Sequence, residues 1–413
     1  MVAVGIDVSK GKSTVAAVAL GGDILIQPAD YPHTVDELNA LVHTIRSLPG
    51  EVRVVMESTG RYHEPVLIKL LQAGIFTCVV NPLLTKGYDN NSLRKVKTDK
   101  HDAMKLANYG LEKWDLLKAS FPVDSVYGSL KDLNRQLTQY EKISTAAQLN
   151  LLSLLDAVYP GVKGLFNRSA RKDGRVKWMD FLLTFWHCEC VSRMKPEAYY
   201  EKYRKWCKKN GYNFSQEKAV EIHNHARQCV PSKVMNESVK IMIIGAAQSL
   251  INLQETTTAL KDEMYRLAAT LPEFDTVMAM HGVGPVVGPQ LLAEIGNMRR
   301  FANKRKLVAY AGIDSPPFSS GKFESSNRHM TKRGSSHLRK TLFIVMTVIL
   351  ANKRESDSVY QFMDKKRSEG KHYLVYNMAG ARKFLHILYA RVMGFFAELE
   401  QEDGTQEQQL SAS

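Results

Sequence analysis

Four acidic residues stand where carboxylates do phosphate chemistry. Asp7 closes the apolar run Val2-Ala-Val-Gly-Ile-Asp-Val8, and Glu57 closes Glu51-Val-Arg-Val-Val-Met-Glu57. Asp99 and Asp102 lie three apart in Lys97-Thr-Asp-Lys-His-Asp-Ala103, a spacing that puts both on one face of a helix starting near Thr98. If the two runs are adjacent parallel strands, Asp7 and Glu57 meet at one sheet edge. Converging carboxylates repel unless cations sit between them. Mg²⁺ is the expected ion, hard and oxygen-seeking, and a pair of such ions stabilises both the attacking and the leaving oxygen at a phosphodiester. Taken singly, each acid also reads as a turn residue or a helix-terminus charge.

The second constellation is a serine loop. Ser315-Pro-Pro-Phe-Ser319-Ser320-Gly321-Lys322 precedes Thr331-Lys-Arg-Gly-Ser-Ser-His-Leu-Arg-Lys340. A serine beside glycine is ordinarily a turn residue. A basic block a dozen residues on gives it a phosphate to attack, with Lys322, Lys332, Arg333 and Arg339 to stabilise developing charge. Upstream, Met280-His-Gly282-Val-Gly284-Pro reads as a hairpin between helices whose amides suit a phosphate. A plain packing corner is the other reading. Arg299, Arg300, Lys304, Arg305 and Lys306 follow with no acid among them.

The elements that must position these residues can be drawn from pattern. Strands are expected at 2–8, 13–20, 23–27, 51–57 and 76–80. A helix capped by Thr34, with Glu37 three residues on, lies among them, and a short one runs about 63–73. Strands alternating with helices indicate an α/β domain with a mixed sheet over 1–115. Val126, Leu130, Leu133, Leu137 and Tyr140, then Ala147, Leu151, Leu154 and Val158, form a heptad seam that only Ser144 interrupts. Leu250, Leu253, Thr257, Leu260, Met264, Leu267 and Leu271 form another. The expected organisation is long coiled-coil helices at 116–160 and 235–271, paired within one chain or between two. A basic, aromatic-rich insert fills 161–234, a mostly helical C-terminal domain spans 272–397, and an acidic disordered tail covers 398–413.

In the insert, Tyr199, Tyr200, Tyr203 and Trp206 among lysines suit RNA or single-stranded DNA, if the rings face outward. His187, Cys188, Cys190, Cys207, His223, His225 and Cys229 also fall there, in no zinc spacing.

Composition agrees with a polyanionic partner. Among 413 residues there are 56 Lys plus Arg against 42 Asp plus Glu, a formal charge of +14. Five cysteines exclude a disulfide-stapled scaffold. The longest apolar stretch, Thr341 to Ala351, is about half what a membrane-spanning helix needs. Met1-Val-Ala-Val4 opens directly into a strand pattern, so no signal peptide is expected and the protein reads as cytoplasmic.

Gly5-Ile-Asp-Val-Ser-Lys10, Met56-Glu-Ser-Thr-Gly-Arg-Tyr62, Val80-Asn-Pro82 and Lys97-Thr-Asp-Lys-His-Asp-Ala103 together resemble the RuvC-like (RNase H-like) domain of the DEDD transposases, the insertion-sequence family usually called IS one-ten, with its IS eleven-eleven branch and the Piv-type invertases. The serine loop and the Thr-Lys-Arg-Gly block resemble that family's C-terminal transposase domain, whose nucleophilic serine maps onto Ser320, with Ser319 the runner-up. The resemblance implies Mg²⁺ on Asp7, Glu57, Asp99 and Asp102, and a phosphoserine intermediate that conserves the energy of the DNA bond. It further implies donor and target duplex DNA, a structured noncoding bridge RNA as guide, and a homodimer assembling to a tetramer in which the serine domain of one protomer meets the acid domain of another. The setting would be a bacterial or archaeal cytoplasm, at the nucleoid during action. The insert lies outside the resemblance. A hydrolytic RuvC-like nuclease needs only the acids and is the alternative, and a non-catalytic RNA-binding protein is a further one. A sugar-kinase-like ATPase shares the Gly-Ile-Asp-Val-Ser-Lys run but lacks its partner phosphate and adenosine loops.

Overall fold

The structure is a computed structural model that describes residues 1–58, 60–86, 88, 98–120, 125–166, 171, 174–315, 319–320, 323–324 and 329–411. It divides into two units, Met1–Val123 and Asp124–Ser413.

The first unit is built on one five-stranded sheet. Its strands are β1 (Val2–Ser9), β2 (Lys12–Ala19), β3 (Ile24–Pro32), β4 (Val52–Glu57) and β5 (Thr77–Val80), in the order β3-β2-β1-β4-β5. The first three are antiparallel neighbours, while β4 pairs parallel with β1 and with β5. This mixed order is the RuvC-like α/β arrangement the sequence predicts. Helix α1 (Val35–Arg46) starts where expected, the Thr34 hydroxyl accepting from the Glu37 N–H. With α2 (Glu64–Gln72) it covers one sheet face, packing Leu38, Leu41, Val66 and Leu70 on Val4, Ile6, Val54 and Met56.

β3 runs past its expected end at Gln27 to Pro32. Two prolines, Pro28 and Pro32, argue against a strand there. They are tolerated because β3 is at the sheet edge, where a missing N–H costs no ladder bond. The unit also reaches beyond the expected 115. The Ser120 N–H donates to Thr77 O (2.7 Å), and its hydroxyl accepts from the Val79 N–H (3.0 Å), tying this segment to β5.

A short α3 (Pro82–Thr85) follows β5, and α4 (Asp99–Glu112) covers the other sheet face. Its approach is unusually close: a Cβ on Gly5 would sit 2.0 Å from Ala103 O and 2.3 Å from Ala107 N. Only glycine fits under that backbone.

In the second unit, α5 (Ser125–Val158) and α10 (Glu237–Ala268) pair within the chain. They run antiparallel. Leu130 and Leu137 share a core with Met264 and Ala268, while Leu151 and Leu155 share another with Val239 and Ile243. The insert is a helical cap on the hairpin's tip, made of α6 (Lys177–Leu182), α7 (Glu189–Ser192), α8 (Pro196–Lys209) and α9 (Gln216–Gln228). At the other end α11 (Phe274–Met278), α12 (Val287–Ile295), α13 (Lys304–Ala311), α14 (Ser336–Asn352), α15 (Ser358–Ser368) and α16 (Tyr373–Ser411) pack on the hairpin's base. The Thr341–Ala351 stretch is part of α14, with Leu342, Val345 and Ile349 in that core, and among the described residues no helix is long and apolar enough to cross a membrane. The expected disordered tail instead continues α16. Arg299 lies 4.1 Å from the Phe396 ring centre and 3.6 Å from Glu400, docking the turn from which disorder was expected.

Gly5→Ala is expected to destabilise the first unit by about 3 kcal/mol by prising α4 off the sheet. Urea unfolding of the variant measures this, and a loss under about 1 kcal/mol contradicts the tight packing.

Candidate active site

Side chains alternate across a strand, so Val4, Ile6 and Val8 face α1 and α2 while Ala3, Gly5 and Asp7 face α4. The parallel register sets Ile6 beside Met56, which makes Asp7 and Glu57 the next residues at the same carboxyl edge. Val55 shares a core with Leu106 of α4, so Glu57, two residues on, is also on that face. The helix runs opposite to β1. Gly110 lies over Ala3 and Val55 (3.0 Å from a built Cβ), and Ala103 and Ala107 lie over Gly5. One turn further, its first residues Asp99 and Asp102 come to the edge that carries Asp7 and Glu57. The Thr98 hydroxyl caps the helix by accepting from the His101 N–H (3.2 Å), and both acids sit at the favourable end of its dipole. The structure therefore gathers all four acids at one end of one sheet face.

Glu57 and Asp99 each meet a side chain outside the acid set. Glu57 Oε1 accepts the Thr85 hydroxyl. Asp99 lies 3.6 Å from Lys12 Nζ, which also contacts Asp30 Oδ2 at 2.7 Å. Asp30 in turn accepts from the buried Thr14 hydroxyl (2.6 Å), and Thr14 is the cross-strand partner of Asp7. These two donors hold the Asp30 carboxyl below its ordinary pKa, Lys12 foremost. Among the described residues no three metal-ligating side chains stand close enough to grip an ion in this arrangement. Lys12 and Asp30 were not legible as site residues: Asp30 lies in the part of β3 beyond the expected strand end.

Ser319 and Ser320 form the two-residue strand β6, paired with β7 (Phe323–Glu324) in the register Ser319 to Glu324 and Ser320 to Phe323. Gly321 and Lys322 lie outside the described residues. The base of the loop is clasped shut. The Thr331 hydroxyl donates to Asp314 Oδ1 (2.6 Å), the Lys332 N–H to Gly312 O (3.0 Å) and the Ser335 N–H to Tyr310 O (2.7 Å). Arg339 spends its Nη1 on Ala311 O (2.9 Å) and Gly334 O (3.0 Å), so its first role is to hold this clasp. A Cβ on Gly334 would sit 2.0 Å from Tyr310 O. Lys332 takes a φ of +54°, costly for a lysine, and with Arg333 it is exposed.

Beneath the clasp sits Glu294, fully buried. Its Oε1 accepts from Asn134 Nδ2 (2.8 Å), and its Oε2 accepts from Arg135 Nη2 (3.0 Å) and the Ser335 hydroxyl (3.0 Å). The same hydroxyl caps α14, accepting from the Leu338 N–H (3.1 Å). One carboxylate thus joins α5, α12 and the start of α14. A lone acid in Gln290-Leu-Leu-Ala-Glu-Ile295 was the available signal.

The other basic residues divide. Lys304, Arg305 and Lys306 are exposed in the first turn of α13, capped by Asn303. Three cations there oppose the helix dipole, a local cost that an anionic ligand offsets. Arg299 is committed to Phe396 and Glu400, and Arg300 lies over Phe301 (4.6 Å) and Tyr310 (4.5 Å). Gly282 (φ +82°) packs where a Cβ would meet Ile349 Cγ1 at 2.6 Å, a close helix contact, while nothing crowds Gly284.

The insert corrects one expectation. Tyr199, Tyr203 and Trp206 are core residues with Phe181 and Phe185, and burial raises the phenol pKa of both tyrosines far above the usual value. Lysines lie over the outer faces of core rings, Lys177 at 5.4 Å from Tyr203 and Lys163 at 5.6 Å from Trp178. Rings needed to fill a small helical cap cannot also stack on bases. His187, His223 and His225 place ring nitrogens on Lys233 O, Met194 O and Pro160 O, and burial pushes the Cys188 thiol up to about 11.

The profile of the IS110-type DEDD transposases matches residues 4–160, and that of the IS116/IS110/IS902 transposase family matches residues 275–361. This chain belongs to the IS110 family of DEDD transposases. Membership accounts for both constellations, since one match holds the four acids and the other the serine loop. An insertion element IS116 protein of Streptomyces clavuligerus is 24% identical over 94% of this chain and 93% of its own length. The Moraxella bovis pilin gene-inverting protein is 24% identical over 40% of this chain and 53% of its own. Thermus thermophilus RuvC, solved with a Holliday junction substrate, aligns with 29% of this chain and 98% of its own at 13% identity and a TM-score of 0.23. The fold assignment rests on the strand order above.

Glu294→Ala is expected to cost the second unit about 3 kcal/mol, because Arg135 and Asn134 lose their partner, whereas Ser335→Ala should cost about 1 kcal/mol, one cap. Denaturant unfolding of both variants compares them, and equal losses would remove Glu294 as the hub.

Proposed function

We propose that this transposase cuts and rejoins DNA through a covalent link between Ser320 and a backbone phosphate. The observation that carries the reading is the gathering of Asp7, Glu57, Asp99 and Asp102 at one edge of one sheet face in a chain that also holds a clasped serine loop. In the proposed step the Ser320 oxygen bonds to phosphorus as the P–O3′ bond breaks. The serine proton ends, in net terms, on the departing 3′ oxygen. One ester replaces another, so no nucleotide cofactor is consumed. The free 3′ hydroxyl, or one from a partner duplex, reverses the step on a new strand. Lys332 and Arg333, exposed at the loop's base, supply positive charge to the phosphate.

The four carboxylates fit Mg²⁺ by chemistry: all are hard oxygen donors on one face, and Asp99 is already paired with a cation, Lys12. Asp7, Glu57, Asp99 and Asp102 would hold it. Bound there, it would polarise the phosphate oxygens and lower the pKa of a departing hydroxyl. Donor and target duplexes are the proposed substrates, a bridge RNA the proposed guide, and a dimer assembling to a tetramer the proposed active form, with serine and acids contributed by different copies. The charge of +14 supports binding to nucleic acid.

Ser320→Ala should still bind DNA yet leave no protein attached to it on a denaturing gel, whereas Ser319→Ala should keep the adduct. An adduct that survives in both variants places the nucleophile elsewhere. Cleavage by the native protein without any adduct would identify a hydrolytic nuclease. Asp7→Asn should lose strand cleavage in Mg²⁺ by at least about a hundredfold.

A further inference from the structure

The α5–α10 hairpin has two apolar ends and a polar waist. The base core takes residues of α5 up to Leu137 and of α10 from Leu260, while the tip core takes α5 from Ala147 and α10 up to Ile251. Neither includes a residue from the stretches between. Of the four seam positions there, Tyr140 and Leu253 join neither core, and Ser144 and Thr257 are polar and line a cleft, flanked by the largely buried Thr138. A leucine at Ser144 or Thr257 would bury more apolar surface, so this stretch forgoes stability. In place of packing it leaves an open cleft of about 440 Å³.

Three lysines line that cleft: Lys142 of α5, Lys261 of α10 and Lys340 of α14. One carboxylate faces them. Glu141 lies 3.3 Å from Lys340 and 3.8 Å from Lys261, too little charge for three cations. The surplus reaches beyond the cleft. His337, on the same helix as Lys340, has its pKa lowered first by burial and then by Arg135, Lys340 and Lys142, against the opposing pull of Glu294. A seam that gives up apolar contact and collects uncompensated cations is built for an anion.

The geometry points to this waist as a binding site for the phosphodiester backbone of nucleic acid, made of residues other than the four acids and the serine loop. Lys142 and Lys261 would grip the backbone from the two hairpin helices and Lys340 from the helix that leaves the serine clasp. Glu141 holds the lysines in place when the cleft is empty and limits affinity when it is filled. The inference rests on the reading that this transposase handles nucleic acid.

The test uses the full chain with a DNA duplex and, separately, an RNA stem-loop of equal charge, titrated at several salt concentrations. Lys142→Gln/Lys261→Gln/Lys340→Gln should bind at least about tenfold more weakly, its salt slope reduced by about 2 to 3. Glu141→Gln should bind about threefold more tightly. A control, Lys353→Gln/Lys365→Gln/Lys371→Gln, removes the same charge from exposed positions of the same unit and should change little. Loss on DNA alone or RNA alone supports the site and names the backbone it takes, and loss on both supports a shared one. Unchanged binding in the cleft variant, or an equal drop in the control, overturns the inference. If the native chain binds neither probe, the functional reading itself fails.

Discussion

The acid face depends on one contact, that of α4 with β1 at Gly5. The absence of a single side-chain carbon lets a helix backbone lie directly on a strand. From that contact the rest follows geometrically. The helix runs against the strand, so its first turn reaches the sheet edge where Asp7 and Glu57 end their strands. Carboxylates repel when they converge, and no local preference would assemble them. The packing of apolar surface around Gly5, Ala103, Leu106 and Ala107 is what offsets that repulsion. Lys12, held by Asp30 and reaching Asp99, tempers it further.

The second unit solves a related problem by the opposite means. A loop as long as 315–330 keeps a defined course only if it is anchored firmly. Here the firmness lies at the base. Backbone bonds join 310–314 to 331–335, and Glu294 ties that junction to the long helix α5. A buried charge is an expensive anchor unless every oxygen is satisfied, and Glu294 has three donors on two oxygens. Such an anchor specifies one arrangement where apolar packing alone tolerates several.

The cations of this chain are not one population. Some are structural: Arg339 closes the clasp, Arg300 lies on aromatic rings, and the lysines of the insert cover its core. Others meet too little opposing charge, as at the start of α13 and in the hairpin waist. Net charge cannot separate the two groups, because it counts a guanidinium bonded to carbonyls the same as one open to solvent.

Periodicity and motif spacing carried most of the architecture. The strands, the capped helices, both heptad seams and the two constellations are local patterns, and local patterns are written in consecutive residues. Tertiary packing alone decided what depends on partners distant in the chain. Whether Tyr203 faces solvent or a core, whether α5 pairs with α10 or with a second copy, and whether Arg339 meets a phosphate or a carbonyl are settled by residues tens to hundreds of positions away. Asp30 and Glu294 were invisible for the same reason: an acid reads as ordinary until the fold shows what it touches.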